Sequence, residues 1–116
     1  MSGIRRLGVK PHLSSAVVHG NVVYLAGVVP ATGETVAEQT ADVLAQIDDL
    51  LAQAGTDKSR LLTANVWLAD ISTRDELNEV WNAWVAPGNP PARAAVEAKL
   101  ASPAYKVEIM VTAALE

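Results

Sequence analysis

Between Thr35 and Gly55 the apolar residues change their period, and that change constrains the fold more than any other feature of the chain. Val36, Thr40, Val43, Leu44, Ile47, Leu50, Leu51 and Ala54 recur at helical spacing, and Thr35 with Glu38 fits a capping box. Gly55 stands where a C′ glycine ends a helix. The flanking segments are strand-like. Upstream, "SSAVVHGNVVYLAGVV" holds two β-branched runs separated by His19-Gly20-Asn21. It reads as a hairpin whose turn residues Gly20 and Asn21 can adopt positive φ. The short "IRRLGV" before it predicts an edge strand. Downstream, "RLLTANVWLAD" reads as a strand. Ser72 or Thr73 then caps a second helix that carries Leu77, Val80, Trp81 and Trp84 on one side, and "APGNPP" ends it.

The remaining segments complete the order. "ARAAVEAKL" alternates, with Ala92, Ala94, Val96 and Ala98 on one face and Arg93, Ala95, Glu97 and Lys99 on the other. "KVEIMVTAAL" is the last strand, and its apolar run predicts burial on both faces and a central position. The expectation is a single α+β domain over residues 1–116, ordered β-β-β-α-β-α-β-β, with both helices on one sheet face. Phe is absent and aromatics are only 4 %, so Ala, Val, Leu and Ile build the interior around three tryptophans. A chain of 116 residues leaves much apolar surface uncovered when it folds alone. The sheet face without helices is therefore expected to be buried against other copies.

Several function classes are disfavoured. A formal charge of −4 with scattered basic residues opposes a nucleic-acid partner. Without cysteine there is no disulfide, thiol nucleophile or Cys-ligated metal. The start "MSGIRRLGVK" has no apolar run, and no stretch reaches about 18 apolar residues, so no membrane partner is expected and the location expected is the cytoplasm. The glycines form neither a dinucleotide loop nor a phosphate loop. His12 and His19 lack metal-ligand spacing, and no serine sits in a nucleophile elbow.

Two residues stand out. Arg93 follows Pro90 and Pro91, which stiffen the chain ahead of a guanidinium fork able to grip a carboxylate. Its alternative fate is an ion pair with Glu97 on the same face. Glu108 is a lone acid within "VEIMV", where a carboxylate is costly unless partnered. It can position or deprotonate a water, or neutralise Arg93 or a lysine. A simple hairpin of the last two strands would set Arg93 opposite Glu108. Trp67, Trp81 and Trp84 read as packing or interface residues, and Asn78 as a surface residue.

The phrases "YLAGVVP", "NEVWNAW", "PPARAAVE" and "KVEIMVTA" together resemble the RidA/YjgF family of reactive-intermediate (imine) deaminases, some of which carry an older endoribonuclease label. "VWLAD" and "VWNAWV" are most similar to the YoaB-like subgroup. The resemblance implies a chorismate-mutase-like fold, a six-stranded mixed sheet with two helices on one face, and a homotrimer with clefts between subunits. It places the last strand in mid-sheet, which removes the hairpin pairing of Arg93 with Glu108. It implies that Arg93 holds the substrate carboxylate and that Glu108 orients the attacking water. Gly27, Asn78 and Ala95 would line the cleft, Ala95 through its backbone N–H. Leu13 stands where the family usually has a pocket-closing Tyr, preceded by His12 in place of Pro, and Met110 replaces a second acid. The implied reaction is cofactor-free hydrolysis of 2-iminopropanoate or 2-iminobutanoate to a 2-keto acid and ammonia; pyridoxal phosphate would belong to the upstream enzyme. The rivals are a non-catalytic trimeric sensor of small carboxylates and, opposed by the acidic charge, a ribonuclease.

Overall fold

The computed structural model describes residues 3–116. Six strands and two helices follow in the order β1 (Ile4–Val9), β2 (Ser14–His19), β3 (Val22–Leu25), α1 (Val36–Ala54), β4 (Leu61–Leu68), α2 (Arg74–Trp84), β5 (Ala92–Glu97) and β6 (Val107–Ala114). They form one mixed sheet with strand order β1-β2-β3-β6-β4-β5. The last strand lies inside the sheet, antiparallel to both β3 and β4. β5 is the far edge and runs parallel to β4, an arrangement that α2 makes possible as the crossover. β5 and β6 are therefore separated by β4 and form no hairpin.

The β2–β3 turn is two residues long, with His19 paired to Val22. Gly20 takes φ +62°, whereas Asn21 stays at negative φ, so only the first turn position is left-handed. That is the pattern of a type II′ turn, which suits the twist of a hairpin.

α1 is bounded as its termini predict. Thr35 Oγ1 accepts from the Glu38 N–H at 3.0 Å, and Glu38 Oε1 accepts from the Thr35 N–H at 3.1 Å. At the other end Gly55 takes φ +93°. Its N–H donates to Ala52 O and that of Thr56 to Leu51 O, the paired bonds of a Schellman close. α2 starts differently. Thr73 is its N-cap, but its hydroxyl donates back to Asp70 O at 2.6 Å and makes no bond to the helix N–H groups. Asp70 does the side-chain capping one turn earlier, accepting from the Ser72 N–H at 2.9 Å in a single 3-10 turn.

Both helices cover the same sheet face. Val43, Leu44, Ile47 and Leu51 of α1 are at most 1 % exposed, as are Val107, Ile109 and Val111 of β6 below them. Gln39 is a buried polar residue that ties α1 to the loop before β6. Its amide donates to Gly33 O and Ala104 O, and its carbonyl accepts from the Lys106 N–H. The other face of β6 departs from the expected double burial. Glu108, Met110, Thr112 and Ala114 are only half-buried, because both helices lie on the opposite side. The uncovered face includes Tyr24 and Val96, which are 47 % and 48 % exposed. Among the described residues no helix is long and apolar enough to cross a membrane.

Thr35→Ala should cost about 1 kcal/mol in urea unfolding, the usual loss for an N-cap hydroxyl. Hydrogen bonds from the Thr35 and Glu34 N–H groups hold the Glu38 carboxyl below its ordinary 4.5. Its charged form therefore stabilises the fold above that pH, and the contribution disappears as pH falls through the lower folded-state value. Glu38→Gln should accordingly be less stable than wild type at neutral pH, and the gap should close on acidification.

Candidate functional site

The parallel register of β5 against β4 decides where Arg93 points. Arg93 pairs with Ala64, Ala95 with Val66 and Glu97 with Leu68, and all three β4 partners are buried on the helix side. Strand alternation therefore sends the Arg93 side chain towards α2. There Asn78 Oδ1 accepts from Arg93 Nη2 at 2.8 Å. The guanidinium carbon lies 5.1 Å from the centre of the Trp81 ring, within range of a cation–π contact. Asn78 and Trp81 are three residues apart on α2 and thus share a face.

The Trp81 ring is itself held. It packs at 5.4 Å and 53° against Trp84, whose Nε1 donates to Asp48 Oδ2 at 2.9 Å. Lys58 Nζ sits 5.2 Å over the Trp84 ring. Two helices thus fix the aromatic surface beneath the guanidinium. Reading both tryptophans as packing residues captured their burial but missed this orienting contact. The signal available in the sequence was the i, i+3 pairing of Asn78 with Trp81.

Arg93 lacks a counter-charge. Among the described residues the single ion pair is Arg60 with Asp57. Glu97, the alternative partner by spacing, instead accepts from the Ile71 N–H at 3.2 Å. Arg93 Nη1 is buried without a hydrogen-bond partner. Burial, and secondarily the charge of Arg74, lower the guanidinium pKa from its ordinary value. An arginine remains protonated at neutral pH even so. A desolvated cation with an unused donor is expensive for a protein to keep, and a bidentate carboxylate is its natural complement.

Glu108 lies elsewhere. It pairs with Trp67 of β4 on the sheet face that carries no helix. Its carboxylate rests against Gly27, where an added Cβ would collide with Glu108 Oε2. The φ of Gly27 is not left-handed, so a side chain there would be met by no backbone strain but would displace the Glu108 carboxylate from its present place. Leu13, 42 % exposed, joins Gly27 and Lys10 at a cavity of about 280 Å³. Ala95 is half-buried against the core on the same side as Arg93.

The structure therefore brings Arg93 together with Asn78, and Glu108 with Gly27, but keeps the two pairs apart. Arg93 and Glu108 lie on opposite sheet faces, two strands apart and three residues out of step. At ordinary strand spacing and rise their Cα atoms are about 14 Å apart. One half-site can clamp a carboxylate, and the other can orient a water. The described residues contain no cluster of three or more His, Cys, Asp or Glu side chains able to hold a metal ion.

Residues 4–115 match the family model described as Endoribonuclease L-PSP. A RutC family protein of Haemophilus ducreyi is 46 % identical over 97 % of this chain and 97 % of its own length. The RutC family protein YoaB of Escherichia coli is 41 % identical over 97 % and 98 %. A protein of Arabidopsis thaliana named Reactive Intermediate Deaminase A, chloroplastic, is 31 % identical over 88 % of this chain and 58 % of its own. Among solved structures, a YjgF family member from Neisseria meningitidis superposes with a TM-score of 0.98 at 51 % identity, covering 99 % of this chain and 97 % of the other.

Arg93→Met keeps most of the stem and removes the charge. Relief of an unpaired buried cation opposes the loss of the Asn78 hydrogen bond and the Trp81 contact, so the change in unfolding free energy should stay within about 1 kcal/mol. A loss on the order of 3 kcal/mol in urea titration would make Arg93 a structural residue.

Proposed function

The chain belongs to the Endoribonuclease L-PSP family, which includes the RutC and YjgF proteins, and on that premise we propose that it hydrolyses small 2-imino acids to 2-oxo acids and ammonia. The observation that carries the proposal is the Arg93 guanidinium, half-buried, oriented by Asn78 and Trp81, and without a carboxylate partner. The name of the plant relative supports the chemistry. The formal charge of −4 speaks against the ribonuclease that the family description names.

In the proposed reaction Arg93 grips the carboxylate of the imino acid through two parallel N–H donors. The contact is worth about 1.5–3 kcal/mol. The Ala95 N–H meets the same carboxylate. Glu108 orients a water and accepts its proton as the oxygen bonds to the imine carbon. The nitrogen takes up that proton to give a carbinolamine; the hydroxyl proton then passes through Glu108 to the amine, the C–N bond breaks as the C=O forms, and ammonia leaves a 2-oxo acid. Water is consumed and one ammonia is released per imine, so the balance needs no oxidant or cofactor. Positioning one water suffices for a hydrolysis that is already facile.

Because Arg93 and Glu108 occupy opposite faces of one sheet, the complete site is assembled between copies. Arg93, Asn78 and Ala95 of one subunit face Glu108, Gly27 and Leu13 of the next, in a homotrimer that covers Tyr24 and Val96. The same separation favours a second reading, a trimeric binder or sensor of small carboxylates that uses Arg93 and makes no use of Glu108.

Multi-angle light scattering should report three times the 12.2 kDa chain mass. A stable monomer would refute the shared site. Arg93→Ala should abolish saturable binding of 2-oxobutanoate, and Arg93→Lys should restore little, since an ammonium lacks the fork. Glu108→Gln separates enzyme from sensor. If 2-aminoacrylate is generated by a serine dehydratase, wild type should hasten imine decay. Glu108→Gln should still bind 2-oxo acids but lose up to about 10²-fold in rate, the lower range for general-base assistance. Failure of wild type itself to hasten decay, with acid binding intact, would establish the sensor.

A further inference from the structure

We propose that Arg74 makes the Arg93 site selective for acids with a second negative charge, namely 2-imino and 2-oxo dicarboxylic acids. Arg93 would hold the carboxylate beside the reacting carbon, and Arg74 would receive the distal one. The inference rests on the carboxylate-clamp reading of Arg93 and adds the substrate class to it.

Arg74 is the first residue of α2, and Asn78 follows it at i+4 spacing on the same helix face. Helical side chains lean towards the N-terminus, so Asn78 and the guanidinium it holds lie over the turn that Arg74 opens. Arg74 is exposed, with no ion pair among the described residues. Asp75 and Glu79 share its helix without an ion pair among the described residues, and three other acids are engaged elsewhere. Asp70 accepts from the Ser72 N–H and hydroxyl, Glu76 from the Ala37 N–H, and Glu97 from the Ile71 N–H. The Arg74 charge is felt at Arg93, where it adds to burial in disfavouring the protonated form.

Two guanidiniums that sense each other's charge repel, and neither has an ion-pair partner among the described residues. An anion with a single charge relieves Arg93, whose Nη1 has no partner in the fold, and leaves Arg74 unanswered. An acid charged at both ends answers both. Arg74 is exposed and its long side chain has rotamers of different reach, whereas Arg93 is held by Asn78 and Trp81. One end of the ligand is thus fixed for chemistry and the other is selected by charge.

Isothermal titration calorimetry with 2-oxobutanoate and 2-oxoglutarate tests the assignment on wild type, Arg74→Gln and Arg74→Lys. Wild type should prefer 2-oxoglutarate, and added salt should narrow the preference. Arg74→Gln should weaken 2-oxoglutarate by about fivefold, the upper range for an exposed ion pair, and leave 2-oxobutanoate unchanged. Arg74→Lys should recover part of the preference. Equal wild-type affinities, or equal weakening of both acids by Arg74→Gln, would overturn the role of Arg74 while the Arg93 clamp stands. Binding of neither acid by wild type would remove the clamp and this inference together. A fall in assembly mass in Arg74→Gln, with the acid preference intact, would assign Arg74 to a subunit contact instead.

Discussion

The whole structure depends on the burial of the last strand between β3 and β4. Val107, Ile109, Val111 and Ala113 are at most 1 % exposed and lie where both helices press on the sheet. α1 carries the chain from β3 across to β4, and α2 carries it from β4 to the far edge. Neither connection closes a sheet until β6 fills the gap between β3 and β4. The core is thus completed by the segment that is last in the sequence. Contacts of such long sequence separation carry a large loop-closure cost, which the apolar burial must exceed.

That architecture leaves the molecule one-sided. Helices seal one face, and the opposite face presents Trp67, Glu108, Met110 and the exposed Tyr24 and Val96. The edge strand β5 adds the second asymmetry, since its parallel register turns Arg93 inward against α2. Function and stability pull in different directions at that residue. The Asn78 bond and the Trp81 ring lower the cost of holding the cation, but neither supplies the negative charge that would cancel it. An unpaired charge in a partly desolvated place is a common mark of a binding site, because evolution tolerates the strain only where a ligand relieves it.

Most of the elements were legible because they rest on local rules. The capping box at Thr35, the left-handed Gly55 and the proline-rich stop after Trp84 act over a few residues, and each is found where its pattern stood. The central place of β6 was also legible from its mostly apolar run, although the double burial that run predicted is not found. Where local rules misled, a neighbour decided. Thr73 turned its hydroxyl back to Asp70 O, and the alternative Arg93–Glu97 pair that spacing allowed gave way to the Ile71 N–H as the partner of Glu97. Gly27 showed no turn or positive-φ signal, because its close contact is with the Glu108 carboxylate, distant in sequence.

The sequence by itself determined the elements, their order, the identity of the arginine and glutamate that stand out, and the family phrases that surround them. Periodicity, capping and rigidity at prolines are properties of neighbouring residues, so a linear reading captures them. Only the tertiary structure decided that Arg93 rests on Trp81 with Asn78 as its acceptor, and that Glu108 stands on the opposite face of the sheet. Those facts follow from strand order and register. Both are set by which apolar faces bury together across the fold, and a one-residue change of register would have sent each side chain to the other face.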